Sequence, residues 1–543
     1  MNSVVDRIER RPQGRPVSWP GAVLAAGRTT SGPGPGARAA VVAALAAGFV
    51  AASDASAAAA TDPSPCRLKG VEHEALCGVV SRALDPAQPQ GPQIDVHYAV
   101  LPALARRKAA DPVFFFAGGP GQSAIDLAGV LSKRHARFGN RRDMVFVDQR
   151  GTGRSAPLKC PDDDERRPAR PLAELLDESL QLRQMQACRA ALQKLPHGDL
   201  RQYTTSIAMA DVDAVRRALG VAQINAIGAS YGTRAVLEYM RQFPQQVRRA
   251  VIDGVAPPDM VLPAAFSVDN QAALDAVFTA CEQQPACQQR HPALRSQWQQ
   301  LLAGLPRALA LLNPMTGQTE RVALTRTMLL SAVRGPLYSP ALAAGLPAAI
   351  SAAAAGRFDP LLGLSSALGA AGGINAGMHF SVVCAEDVPR LPQAVDAPAR
   401  DFGDGFAAMY RQVCAEWPRG MPPAAFYTLP PAPAATLVLS GSADPVTPPR
   451  HGARVAQALG AKARHVVVAN VGHGVLQLAC LREAVQRFVD APGDDEAMKV
   501  DTACAAGVPR PPAFTPVDPA AGSRPAPAAP LTSRVGAVPE ATR

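Results

Sequence analysis

Residues 224–234 read Ile-Asn-Ala-Ile-Gly-Ala-Ser-Tyr-Gly-Thr-Arg, and the order of these residues decides the fold. Residues 224–228 form a short apolar run, a helix-like stretch follows at 234–243, and between them Ser230 stands in a G-x-S-x-G arrangement with Gly228 and Gly232. A serine on so sharp a strand-to-helix turn projects above a sheet edge. Side chains two positions to either side would collide, and this is why both positions are glycine. The strand is one of several. Residues 113–117 (VFFFA), 144–148 (MVFVD), 250–253 (AVID), 436–440 (TLVLS) and 465–469 (HVVVA) are equally short, apolar throughout and bounded by turn residues. Runs of this kind, spaced by helix-length segments, predict a mostly parallel sheet covered by helices on both faces. Helical spacing is explicit over 208–219, with Ile207, Val212, Val215 and Leu219 on one side and Gly220 just past the end, and again over 475–489.

From Pro257 to about residue 434 the alternation stops. Leu/Ala periodicity with Pro and Gly punctuation replaces it, and strand-like runs resume at Thr436. The expected organisation is a leader over 1–60, a first core part over 61–257, a helical cap inserted over 258–434, a second core part over 435–506 and a disordered Pro/Ala-rich tail over 507–543.

The bulk numbers exclude more than they assign. Hydrophobic residues make up 48% of the 543, enough for a large core, and charged residues only 18%. Half of the net charge of +10 sits outside the expected core: six Arg against three acids before residue 61, four Arg against two acids after residue 506. The remainder is spread thinly, without the basic clusters and neighbouring aromatics of a nucleic-acid protein. Arg38, the apolar stretch 39–52 and the small residues 55–60, with Ala55-Ser56-Ala57 as a cleavage site, have the layout of an export signal. The apolar stretch falls short of the ~20 residues that span a bilayer, so no stable membrane insertion is expected after leader removal. Ten cysteines, none in a C-x-x-C pair, fit an oxidising compartment. Their count leaves connectivity open. Sequential pairing (66–77, 160–188, 281–287, 384–414, 480–504) is the simplest arrangement.

A serine hydroxyl is a weak nucleophile until a base takes its proton, and that base must be held in one tautomer by a third group. Of nine histidines, His473 in Asn-Val-Gly-His-Gly follows the last strand directly. His451 reads as an exposed helix-start residue and His379 as a core or cap histidine. Asp444, in Ser-Ala-Asp-Pro-Val-Thr-Pro after the strand 436–440, lies between serine and histidine in chain order, as this geometry requires; Asp253, at the end of 250–253, is the alternative acid. An oxyanion forming on the substrate needs two N–H donors. Tyr231, next to the serine, offers one, and Gly119, in the Gly-Gly-Pro-Gly loop after 113–117, offers the other. No metal or organic cofactor is called for.

The series Gly118-Gly119-Pro120-Gly121-Gln122-Ser123, Asp148-Gln149-Arg150-Gly151-Thr152-Gly153-Arg154-Ser155, Gly228–Thr233, Ser442–Pro448 and Gly472-His473-Gly474 resembles, in this order and over about residues 66–505, the proline iminopeptidase and tripeptidyl aminopeptidase family of α/β-hydrolases. The DQRGTGRS segment is the most particular of these marks. The resemblance implies an exopeptidase that works from a peptide's free N-terminus, and it implies that DQRGTGRS braces the active-site loops; Asp148 and Arg150 can pair locally there. Ala117 stands where proline iminopeptidases carry histidine, which favours the secreted tripeptidyl aminopeptidase branch. An aminopeptidase needs an anion for the substrate ammonium, and Glu386 and Asp387, beside Cys384 in the cap, are the candidates. Ser230, Asp444 and His473 would also serve an esterase or amidase acting on small molecules, since fold does not set substrate. A catalytically dead binding protein is disfavoured because every reactive residue type is present.

Overall fold

The computed structural model describes residues 62–161, 170–175, 177–313, 315–367 and 373–515. The expected leader over 1–60 and the tail beyond 515 lie outside them; residues 507–515, expected to be disordered, are instead held against the body, with Asn470 Nδ2 donating to the Val508 carbonyl (2.8 Å) and Phe514 N–H to the Ala344 carbonyl (2.8 Å). Eleven strands are described: β1 Ser64–Cys66, β2 Ala75–Ala83, β3 Gln93–Leu101, β4 Val113–Phe116, β5 Met144–Val147, β6 Ile224–Ala229, β7 Val247–Asp253, β8 Arg307–Leu312, β9 Thr319–Leu324, β10 Thr436–Gly441 and β11 Ala463–Val468. Nine form one sheet in the order β1-β2-β3-β5-β4-β6-β7-β10-β11. From β5 to β11 neighbouring strands are parallel; β1, β2 and β3 join antiparallel at the other edge.

The parallel half is apolar for a simple reason: it is covered twice. Phe114 and Phe116 of β4 point to one face, where Val212 and Val215 of the helix Thr205–Ala218 and Val236 and Tyr239 of the helix Tyr231–Gln242 pack on them. Phe115, between them, points to the other, against Phe146, Val251, Leu437 and the residues Leu481, Val485 and Phe488 of the helix Ala479–Asp490. This is the two-residue period of a strand with a core on each side. Each such side chain contributes roughly 1.5–3 kcal/mol by leaving water.

Three features differ from the sequence reading. The N-terminal strands β1–β3 lack a continuous apolar run; β3 alternates between exposed and buried residues along its first half, as a strand nearer the sheet edge does. The insertion between β7 and β10 is largely helical, running from Leu262–Gln283 to Gly405–Cys414, but it also holds the antiparallel hairpin β8–β9. The hairpin buries Leu311, Val322 and Leu324 against Phe278 and Trp298 and leaves its other face to solvent. The final helix begins at Ala479 rather than at 475, because the Val475 and Leu476 amides are drawn to the Asp253 carboxylate instead of into a first turn.

All ten cysteines are paired, in sequential order: 66–77, 160–188, 281–287, 384–414 and 480–504. Cys384–Cys414 ties the helix Ala376–Glu386 to the helix Gly405–Cys414. Among the described residues no helix is long and apolar enough to cross a membrane. Replacing Cys384 and Cys414 together by serine removes a cross-link over 30 residues. The expected loss is about 3–4 kcal/mol of unfolding free energy from loop-closure entropy, read as a urea midpoint below that of the oxidised wild type and above that of the fully reduced wild type, which lacks all five bridges.

Candidate active site

Ser230 sits at φ +57° and ψ −127°, between the end of β6 and the first residue of the helix Tyr231–Gln242. A non-glycine residue there is strained by about 1–3 kcal/mol. The local sequence allows it: a Cβ on Gly228 would run into the Gly232 carbonyl, and one on Gly232 into the Phe116 carbonyl of β4. The turn is held by Ser230 N–H donating to the Asp253 carbonyl (2.9 Å) and by Thr233 Oγ1 donating to the Ser230 carbonyl (2.6 Å).

Asp444 follows β10 and His473 follows β11, so the parallel register of these strands brings both to the edge where β6 delivers Ser230. His473 Nδ1 lies 2.8 Å from Asp444 Oδ2. Asp444 is 2% exposed, and its other contacts are the amides of Val446 and Thr447 (2.9 Å each) and the Thr447 hydroxyl (2.8 Å). Burial alone would raise this carboxyl, but the His473 charge and these donors hold it below the ordinary range. For His473, burial disfavours the charged ring; Asp444 outweighs it and raises the histidine above 6.5. A carboxylate at Nδ1 puts the proton on that nitrogen and leaves Nε2 bare to accept one. The imidazole edge lies against Gly254, one residue beyond the Asp253 that anchors Ser230. Tyr338, which sequence reasoning did not single out, sets the ring from outside: its carbonyl accepts the His473 N–H (3.1 Å) and its ring meets the imidazole edge-on at 5.4 Å.

Asp253, the alternative acid, does a different job. Its carboxylate accepts the amides of Val475 (2.9 and 3.0 Å) and Leu476 (3.0 Å), and burial pushes it up to about 6 against these donors. It anchors the histidine loop and does not face the imidazole nitrogen.

Tyr231 is the first residue of its helix, so its N–H has no intrahelical acceptor. Gly119 has φ +109°, a left-handed conformation that glycine adopts without strain, and Gly118 lies against Ser230 Cβ. Asp148 fixes this loop from below: it accepts Ser123 Oγ (2.6 Å) and the amides of Ile125 (3.1 Å) and Arg154 (3.2 Å). Arg150 does not pair with Asp148. It is fully buried and reaches away, bidentate on Asp211 (2.6 and 3.0 Å) and onto the carbonyls of Ala83, Leu84 and Gln202. DQRGTGRS thus ties the glycine loop to β2 and the helix Thr205–Ala218 by two long-range contacts in place of one local pair. Among the described residues no cluster of His, Cys, Asp and Glu stands where it could hold a metal.

The family model described as the alpha/beta hydrolase fold matches residues 111–477, a span that includes Gly119, Asp148, Ser230, Asp253, Asp444 and His473. The chain belongs to the α/β-hydrolase family. Ser230, Asp444 and His473 stand in it as nucleophile, acid and base would. Among curated relatives, carboxylesterase B of Mycobacterium tuberculosis (strain CDC 1551 / Oshkosh) is 30% identical over 424 residues, covering 71% of this chain and 78% of that one. The serine protease Hip1 of the same strain is 30% identical over 207 residues, 36% of this chain and 39% of that one. The tripeptidyl aminopeptidase of Streptomyces lividans is 32% identical over 197 residues, 34% of this chain and 35% of that one. The match thus spans 39% and 35% of the length of those two peptidases.

Two expected site residues of this hydrolase lie elsewhere than the sequence suggested. Glu386 and Asp387 are fully buried and turned toward Arg234, one helical turn after Ser230, rather than toward open space. Arg234 bonds Asp387 at 2.9 and 3.1 Å and Glu386 at 3.3 Å; Glu386 also accepts Thr205 N–H (2.7 Å) and Oγ1 (3.0 Å), and Asp387 accepts Leu262 N–H. Thr205 Oγ1 in turn meets the Tyr231 hydroxyl at 2.7 Å. The cluster pins the cap to the nucleophile's helix, and burial pushes Glu386 up to about 7 against the Arg234 charge. His451, expected at the surface, is 2% exposed with Nε2 2.9 Å from Asp269, since the first turn of its helix packs under the helix Leu262–Gln283. His379 bonds Tyr410 in the cap at 2.7 Å.

Two outcomes follow from these contacts. Because Asp444 raises His473 above 6.5, kcat/KM should climb with pH through an inflection above that value as the imidazole loses its proton; Asp444→Asn should move the His473 ring titration, followed by proton NMR, to lower pH. Arg234→Met leaves two buried carboxylates without a cation and should cost about 3–5 kcal/mol in urea unfolding, part of which returns when Glu386→Gln and Asp387→Asn are added.

Proposed function

We propose that this hydrolase is an exported peptidase that removes short pieces from the free N-terminus of peptides through an acyl-enzyme on Ser230. His473 Nε2 takes the Ser230 proton as Oγ attacks the scissile carbonyl, then returns it to the leaving amine. Asp444 holds the tautomer and the imidazolium. The Gly119 and Tyr231 amides receive the oxyanion, and water, activated by the same histidine, releases the acyl group. The observation that carries this reading is the 2.8 Å contact of Asp444 with His473 Nδ1, at the sheet edge that also holds the strained serine.

Three things support a peptidase over other acyl transfers. A serine protease and a tripeptidyl aminopeptidase are among the relatives, and the DQRGTGRS segment is the most particular mark of the resemblance to the proline iminopeptidase and tripeptidyl aminopeptidase family. The cap also lies close on the site: Ile374 bridges to Gln122, and Asn375 N–H donates to the Gly121 carbonyl at 3.0 Å, a cover that suits chain ends better than folded chains. Export is supported by the layout of the leader and by five disulfides. A small-molecule esterase is the second reading. It is favoured by the carboxylesterase relative, which matches most of the chain, and by the engagement of Glu386 and Asp387 with Arg234 in place of an open acid.

A panel of Pro-, Ala- and Ala-Ala-Pro-type amides with free or acetylated amines, plus a short-chain ester, separates the two. Turnover of free-amine amides alone, falling by at least about 10⁴-fold in Ser230→Ala, is expected. Ester turnover indifferent to the amine would establish the second reading, and activity that survives Ser230→Ala would overturn the mechanism.

A further inference from the structure

The cap places one more charge beside the site. Arg334 lies on the helix Arg326–Leu337, and Tyr338, four residues on and so on the same face, is the residue whose ring and carbonyl hold His473. The Arg334 guanidinium stacks 5.0 Å over the Phe406 ring, on the helix Gly405–Cys414. Tyr410, one turn beyond Phe406, bonds His379 at 2.7 Å, and His379 lies beside Pro120 of the glycine loop. Arg334 therefore lies between the helix end that holds His473 through Tyr338 and the helix that reaches the glycine loop through Tyr410 and His379, and its charge acts on all three of these side chains.

It is only partly buried and has no carboxylate partner among the described residues. The acids whose charge reaches the same three groups are both engaged: Asp444 with His473, Asp387 with Arg234. A guanidinium resting over an aromatic ring, with no carboxylate partner, keeps N–H donors free for a planar anion.

We infer that Arg334 binds a carboxylate of the substrate, either the free C-terminus of a short peptide or an acidic side chain near the cleaved bond. The inference rests on the cleft above Ser230 being the reactive one, and it names the substrates that cleft prefers. A charge-assisted pair at a partly exposed site is worth about 10–100-fold in selectivity.

The test uses substrate pairs that differ only in the anion: a tripeptide and its C-terminal amide, a Glu and a Gln peptide, and 4-nitrophenyl hydrogen succinate beside 4-nitrophenyl butyrate. The wild type should favour the anionic member of at least one pair. Arg334→Gln should abolish that preference through KM while sparing kcat on the neutral member, and Arg334→Lys should restore part of it. The first two pairs tell a C-terminal carboxylate from a side-chain one. In the wild type alone, an N-acetyl tripeptide carboxylate should inhibit competitively and its amide should not. No preference in the wild type, a preference that outlasts Arg334→Gln, or equal losses on both members would overturn the assignment. Failure of the peptidase reading is distinguishable, because it shows as turnover of the ester pair only, within which the role of Arg334 is read in the same way.

Discussion

Asp253 is the residue on which the site's geometry turns. At the end of β7 its carbonyl receives the Ser230 amide, and its carboxylate receives the amides of Val475 and Leu476, 222 and 223 residues further along the chain. One buried residue thus sets the backbone of the nucleophile turn and of the histidine loop relative to each other. The cost is that of a carboxylate out of water, visible in its raised titration. The return is positional: groups brought by β6 and β11 share one reference point, and small movements of either strand are passed to both. The glycine loop has an equivalent in Asp148, which joins Ser123 and Ile125 to Arg154.

The parallel strands were legible because both their faces are covered, so that hydrophobicity runs unbroken through 113–116, 144–147 and 437–439. The same logic hid β1–β3 and the cap hairpin: a half-exposed strand carries a weaker signal, and the cap's Leu/Ala composition suits helix and hairpin alike. Ser230, Asp444 and His473 could be picked out since each follows a strand in the order that parallel pairing brings to one edge. Contacts that span the chain could not be. Nothing near Arg150 in sequence points to Asp211, nothing near Arg234 to residues 386 and 387, and nothing near Tyr338 to His473. Short acidic stretches read as solvent-facing by default; Glu386 and Asp387 are buried because a guanidinium that only the folded chain supplies stands opposite them.

The charged groups named around the site differ in burial. Acids and a guanidinium lock the cap to the helix behind the nucleophile, where water is excluded and loss of one partner is costly, whereas the cation at Arg334 rests on an aromatic ring with its edge open. The first group governs where the cap sits, the second what it meets.

The five disulfides carry a consequence for the chain's own biogenesis. Each joins a cysteine to the very next one, so a chain emerging N-terminus first always presents the correct partner before any wrong one, and no bridge has to be broken to complete another. Pairing in order of appearance would reach the native set without reshuffling. The reactive centre has the opposite character. Its serine comes out early and stays inert, since the acid and the base arrive only with the last two strands, and the growing polypeptide is shielded from its own chemistry until the whole sheet has closed.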